Sequence, residues 1–200
     1  MSSPEETSDT EECCPPFDPA KYQDGDKAYK LIKWKNKPFV VDGTRCLFHI
    51  PLAFGKAVTR ATQKIEQSEA QVPKEDFMIL SECSSPWWSD VLVSTSKECV
   101  EGAEVKMISG SFLAKAFEGD YSNIGKWAKE MNELVLEVGG SALEEKEREK
   151  EVDEDGECSP NTKKVTRQKD DTIYFYYPTC PKCAKKYRKN YVVMFAMISS

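Results

Sequence analysis

Two acidic residues stand where chemistry could be done: Glu82 closes a short strand-like run over 77–82, and Glu118 follows another over 112–117. Aromatic residues flank both, with Trp87 and Trp88 just past the first and Tyr121 just past the second. A carboxyl desolvated by aromatic neighbours has a raised pKa, so it can protonate a leaving group or activate water. Hydrolysis of a small electrophile, a strained ring for example, requires such a group. The simpler reading makes Glu82 a solvated strand end and Glu118 an electrostatic cap for the helix that follows it. Trp87, Trp88, Tyr121, Tyr174 and Tyr176 are the candidate ligand-binding aromatics, because small-molecule sites are mostly apolar with a few polar groups. For each tryptophan, a pocket wall and ordinary core are equal readings.

His49 is the single histidine. A multi-histidine metal site is therefore excluded, and any Ser-His-Asp or Cys-His mechanism would have to use it without a nucleophile-elbow motif. On a strand it faces away from Cys46 and Phe48, so a pocket role stands beside that of a hydrogen-bonded structural histidine. Among the eight cysteines, Cys180-Pro181-Lys182-Cys183 has metal-knuckle spacing, and Cys13 and Cys14 could supply two further thiolates to a four-cysteine zinc site. Such a site would clamp the N-terminal arm to the last loop. Adjacent cysteines rarely reach one ion without strain, so unligated thiols compete with this reading. Redox chemistry lacks its usual β-α context. Cys46, Cys83, Cys99 and Cys158 show no pairing pattern, and zinc is the one cofactor the sequence suggests.

These residues need elements to position them. Residues 27–42 alternate around an Asn-Lys-Pro break, which predicts an irregular hairpin. Residues 44–50 read as a strand and 53–68 as a helix, with Phe54, Ala57, Val58, Ala61 and Ile65 on one face. Strands follow over 77–82 and 90–95. The second half repeats the order, with a strand over 112–117, a helix over 121–138, and strands over 172–177 and 191–197. Ile124, Trp127, Ala128, Met131, Leu134, Val135 and Val138 form the helix stripe. Burying that stripe contributes roughly 10 to 15 kcal/mol gross, most of it cancelled by chain entropy. The expected fold class is α+β: duplicated β-α-β-β units forming an antiparallel sheet with two main helices packed on it.

Composition sets the remaining bounds. Two hundred residues, 40% of them apolar, suit one core. The formal charge of −6 misleads, because 144–157 carries nine acids against three bases and 1–12 carries five acids and no base. Without those two segments the chain is about +5. That is too weak to imply nucleic acid, and Lys182, Lys185, Lys186, Arg188 and Lys189 read as a solvated face. No run of 18 apolar residues is present and the start has neither the basic nor the apolar part of a secretory signal, so no membrane partner and a cytoplasmic location are expected. Residues 1–12 are expected to be a disordered acidic tail, 13–43 an N-terminal arm, and 44–200 the domain, with a disordered charged insertion over 140–171.

The segment Asp90-Val-Leu-Val-Ser, then 104–121 ending in Glu118-Gly119-Asp120-Tyr121, then the Trp127 helix, resembles GyrI-like small-molecule-binding domains over about 44–197. With Cys13-Cys14-Pro15 and the Cys180–Tyr191 segment it is also similar to a group of stand-alone bacterial proteins, some labelled hydrolases. The resemblance implies a doubled β-α-β-β fold. Its members include effector-binding domains of drug-sensing activators and enzymes that hydrolyse cyclopropane-bearing toxins. Asp120 replaces the usual proline of the turn, and Thr172–Tyr177 lacks the buried glutamate of many drug-binding members. The expectation is a stand-alone binding domain for a small apolar or aromatic molecule. Two alternatives remain: a hydrolase using Glu118 or Glu82 as acid-base, and a zinc-stabilised interaction module with a basic C-terminal segment.

Overall fold

In the computed structural model, residues 14, 16–47, 50–51, 53–85, 87–142, 164–165 and 172–199 are described. Strand β1, Lys30–Leu47, sets the architecture. It was expected to be a hairpin broken at Asn36-Lys37-Pro38, but it is one strand with a bulge between Trp34 and Lys37. Asn36 takes a φ of 45°, which asparagine tolerates better than most residues. Its N–H donates to Ser109 Oγ at 2.8 Å, and that hydroxyl donates back to Asn36 Oδ1 at 3.0 Å. A bulge bends its strand and strengthens the local twist. The bent strand pairs along both edges and closes the sheet.

The remaining elements are β2 (Ile50–Pro51), α1 (Phe54–Gln67), β3 (Ile79–Ser85), β4 (Trp88–Ser94), β5 (Glu104–Glu118), α2 (Ile124–Ala142), β6 (Lys164–Val165), β7 (Ile173–Tyr176), α3 (Pro181–Tyr187) and β8 (Tyr191–Ser199). Short 3-10 turns occupy Pro19–Tyr22 and Tyr121–Asn123. The order β1-β4-β3-β7-β8-β5, with β1 returning to β5, is a closed antiparallel barrel of six strands. An antiparallel sheet with two helices packed on it was expected; the sheet is antiparallel and also closes, which satisfies both long edges and leaves β2 and the parallel β6 as short additions. The expected boundary between residues 43 and 44 falls inside β1, and β6 lies within the segment 140–171. Among the described residues no helix is long and apolar enough to cross a membrane.

Alternation along the strands divides the core. Inward residues, including Phe39, Leu80, Leu92, Ile108, Phe112, Tyr174 and Phe195, form one buried cluster. Outward residues carry the helices: Ala57, Ala61 and Ile65 of α1 pack on Val40, Val91, Val93 and Val105. Trp127 and Met131 of α2 pack on Leu113, Phe117, Val192 and Met194, with Trp127 stacked on Phe117 at 5.4 Å. Both stripes follow the expected helical spacing. Helix α3 was not expected; Pro181 at its first turn and Cys180 as its N-cap start it.

The barrel has two unlike ends. At the first, β3 finishes and β4 and β5 begin, with Ser85 opposite Trp88 and Val41 opposite Glu104. At the second, β5 and β7 finish and β8 begins, with Glu118 opposite Tyr191. The N-terminal arm covers part of this second end. Its Phe17 lies 5.0 Å from the Tyr191 ring, and its Tyr22 meets Phe195 edge-on at 5.8 Å.

Candidate functional site

At the first end, cross-strand register brings charged side chains to the barrel's inner face. Glu82 of β3 lies opposite Tyr174 of β7 on one side and Asp90 of β4 on the other. Lys106 of β5 shares its face with Ile108 and reaches across, placing Nζ 2.6 Å from Glu82 Oε2. Only 12% of the lysine side chain and 18% of the glutamate side chain meet solvent. The same ammonium sits 5.5 Å from the centre of the Tyr174 ring, within cation–π range. Taking two charges out of water costs several kcal/mol, and their attraction offsets this only when the geometry is good. The pair is therefore a weak source of stability.

The wall beside the pair is aromatic. Trp88 donates its indole N–H to Asp90 Oδ1 at 2.8 Å, fixing both side chains. Its ring lies so close over β1 that a Cβ on Gly43 would fall 2.1 Å from Cζ2, so only glycine fits there. Trp87 and Trp88 keep 59% and 43% of their surface exposed, which is unusual for two adjacent indoles. The Trp87 carbonyl accepts from Cys46 N at 2.8 Å, and Ser89 Oγ donates to the Glu82 carbonyl at 3.2 Å. Burial raises the Cys46 pKa, partly opposed by a hydrogen bond with Ser89.

The second end gathers a different set. Tyr191 O–H donates to Glu118 Oε2 at 2.8 Å and Lys189 Nζ lies 4.0 Å from the same oxygen, with 54% of the Glu118 side chain exposed. Burial, then the bond to Glu118, raises the Tyr191 pKa. Gly119 adopts a φ of +142° beneath Trp127, and its carbonyl accepts from Asn190 Nδ2 at 3.0 Å. Asn190 Oδ1 is buried and makes no well-formed hydrogen bond among the described residues. Asp120 caps the 3-10 turn by accepting from Ser122 N at 2.8 Å. Tyr121 meets Tyr177 edge-on at 5.6 Å; burial raises its pKa and neighbouring Asn190 opposes the rise.

Cys14, Cys180 and Cys183 also lie at the second end, each Sγ within 4.8 Å of the others, and none of the three is in a disulfide. Tyr176 is nearby: burial raises its pKa first, and the charge of Cys14 adds to it. Cys99 is disulfide-bonded, which corrects the reading that it has no pairing.

The residues singled out in the sequence thus fall into two groups. Glu82, Trp87, Trp88 and Tyr174 lie at the first end, and Tyr174 and Tyr176 share the inner face of the barrel. Glu118, Tyr121, Tyr176 and the thiols belong to the second. His49 and Cys13 lie outside the described residues. Sequence reasoning missed Lys106 and Asp90. Continuing the alternation of β5 back from Phe112 through Ile108 would have put Lys106 on the inner face. It also missed Lys37, whose pKa burial lowers and whose Nζ lies 3.2 Å from Met78 Sδ and 5.2 Å from the Trp34 ring.

The family model described as Bacterial hydrolase matches residues 4–146 and 153–198. No match is found among curated proteins.

Proposed function

The chain belongs to the Bacterial hydrolase family, and from that premise we propose that it hydrolyses a small, apolar or partly aromatic electrophile at the first end of the barrel. The observation that carries this reading is the Glu82–Lys106 pair, 2.6 Å apart, largely withdrawn from water and directly beside Asp90. Lys106 engages Oε2 of Glu82 and leaves Oε1 to take a proton from water. The water oxygen bonds to the electrophilic carbon, the bond from that carbon to its leaving group breaks, and the proton passes from Glu82 to the departing atom. Lys106 places positive charge where negative charge develops. Trp87, Trp88 and Tyr174 hold the apolar part of the substrate.

This choice moves the acid-base role from Glu118 to Glu82. Glu118 is half-exposed and held by Tyr191, as a rim residue beside a helix start would be. The resemblance to GyrI-like domains enters the same proposal. The barrel order β1-β4-β3 followed by β7-β8-β5 reads alike from both halves, as a doubled β-α-β-β unit would. A second reading, a stand-alone binder of a small apolar or aromatic molecule at this end, is favoured by the exposure of Trp87 and Trp88. Neither reading calls for nucleic acid or a membrane.

The test is turnover of a panel of activated esters, epoxides and cyclopropanes, with Glu82→Gln as the decisive variant. Loss of about 10²–10⁴-fold with folding retained supports Glu82 as the acid-base. Full activity in Glu82→Gln together with loss in Glu118→Gln would overturn the assignment. Saturable quenching of tryptophan fluorescence without turnover, abolished by Trp88→Ala, would favour the binder.

A further inference from the structure

We infer that Cys14, Cys180 and Cys183 bind one zinc ion, and that this ion pins the N-terminal arm over the second end of the barrel. Three sulfurs that all lie within 4.8 Å of one another, with none in a disulfide, have the spacing of a shared ion. A bonded pair would be about 2.05 Å apart. Thiolates around tetrahedral zinc, at about 2.3 Å from the metal, stand about 3.8 Å from each other, so closure by at most roughly 1 Å brings the three sulfurs to ligand spacing.

The backbone is already arranged for it. Cys183 N–H donates to Cys180 Sγ at 3.5 Å, within the turn that opens α3, and Cys180 N–H donates to Cys14 Sγ at 3.4 Å. These two bonds hold the sulfurs of Cys14 and Cys180 in place beside each other. Each thiol that ligates releases its proton, and zinc undergoes no redox change. Cys183 is buried and Cys14 and Cys180 are partly so, which suits a structural ion better than one turning over substrate.

Cys14 reaches this cluster from the opposite end of the chain. Tyr187 O–H secures it further by donating to the Cys14 carbonyl at 2.7 Å. From that anchor the arm runs through Phe17 and Tyr22, which pack on Tyr191 and Phe195 at the second end. An ion held by both segments would add a bonded link to the hydrogen bonds and aromatic contacts that already hold the arm. These three thiolates would fill three of the four tetrahedral positions without placing two adjacent cysteines on the ion, and a water or a further donor would complete the fourth.

The full chain, purified without chelator under reducing conditions, should carry one zinc by native mass spectrometry. Zinc affinity, read by competition with a chromophoric chelator, should fall at least 100-fold in Cys14→Ser and stay unchanged in Cys46→Ser, a buried thiol at the first end. Cobalt substitution should give a sulfur-to-metal charge-transfer band that weakens in Cys14→Ser. Cys183→Ser is the less useful variant because the residue is buried, whereas Cys14 lies on the arm. No zinc in the purified protein and none bound on titration, or equal affinity in Cys14→Ser and wild type, would overturn the site. Amide exchange in residues 16–23 should rise when zinc is removed. Unchanged exchange in a zinc-loaded and then stripped sample would overturn the pinning role.

Discussion

The two ends of the barrel are built from the same strands, yet they treat charge in opposite ways. At the first, Glu82 and Lys106 turn inward a few residues short of their strand ends and meet at 2.6 Å, at the end that also carries two exposed indoles. At the second, Glu118 stands at the strand terminus, 54% exposed, with Lys189 at 4.0 Å. The arm and the thiol cluster cover much of that second end. Position along the strand explains the difference, because an inward residue one pair from the terminus is enclosed by its neighbours and a terminal one is solvated. A carboxylate that is enclosed, yet still partly reached by water, is the better acid-base candidate.

Breaking the inner pair gives the largest stability effect. Lys106→Met leaves Glu82 enclosed without its cation and should destabilise the protein by about 3 kcal/mol, measured by urea unfolding. Glu82→Gln/Lys106→Met should recover most of that stability while remaining inactive. The same exchange at the second end is milder: Tyr191→Phe removes one hydrogen bond to a half-exposed carboxylate and should cost about 1 kcal/mol with hydrolysis intact. Equal costs at the two ends would erase the distinction between them.

The aromatic wall offers a sharper probe of the first end. Gly43→Ala would place a methyl group 2.1 Å from the Trp88 ring, so the indole must move and release Asp90. The expected cost is about 2 kcal/mol, within the range for overpacking, with a shift in tryptophan emission. Ligand quenching should weaken in parallel. Gly25, where a Cβ meets nothing within 4 Å, is the control for added bulk, although its φ of +55° adds backbone strain of its own.

Much of this organisation is legible in the sequence. Trp127, Met131, Ala57, Ala61 and Ile65 took the faces their spacing required, because helix burial follows a local period. That Tyr174 and Tyr176 share a face follows from strand alternation, but which side of the sheet that face meets does not. Closure was not, since it depends on a bulge at Asn36 that looks like a turn when only neighbouring residues are considered. The site was half legible for the same reason. Glu82 and the two tryptophans are close in sequence, but Lys106 joins them only through cross-strand register around the barrel, which periodicity within one strand does not contain. The thiol cluster was expected of Cys13, Cys14, Cys180 and Cys183; Cys14, Cys180 and Cys183 lie together, and Cys13 lies outside the described residues.

The smallest expected effect belongs to Asp120, in the turn at the second end. Its carboxylate is held below the ordinary range by Ser122, first through the side chain and then through the backbone N–H. A carboxylate whose folded pKa is depressed adds stability above its unfolded pKa of about 3.9 and loses it as pH falls through the folded value. Asp120→Ala should therefore lower the melting temperature slightly at pH 7, and the gap to wild type should close as acid protonates Asp120. Asp120→Asn keeps an acceptor for Ser122 N–H, so it should retain much of the cap and respond less to pH. Neither change should alter hydrolysis at the first end. A loss of turnover in Asp120→Ala that Asp120→Asn does not share would move the chemistry back to the Glu118 turn and reverse the assignment of the two ends.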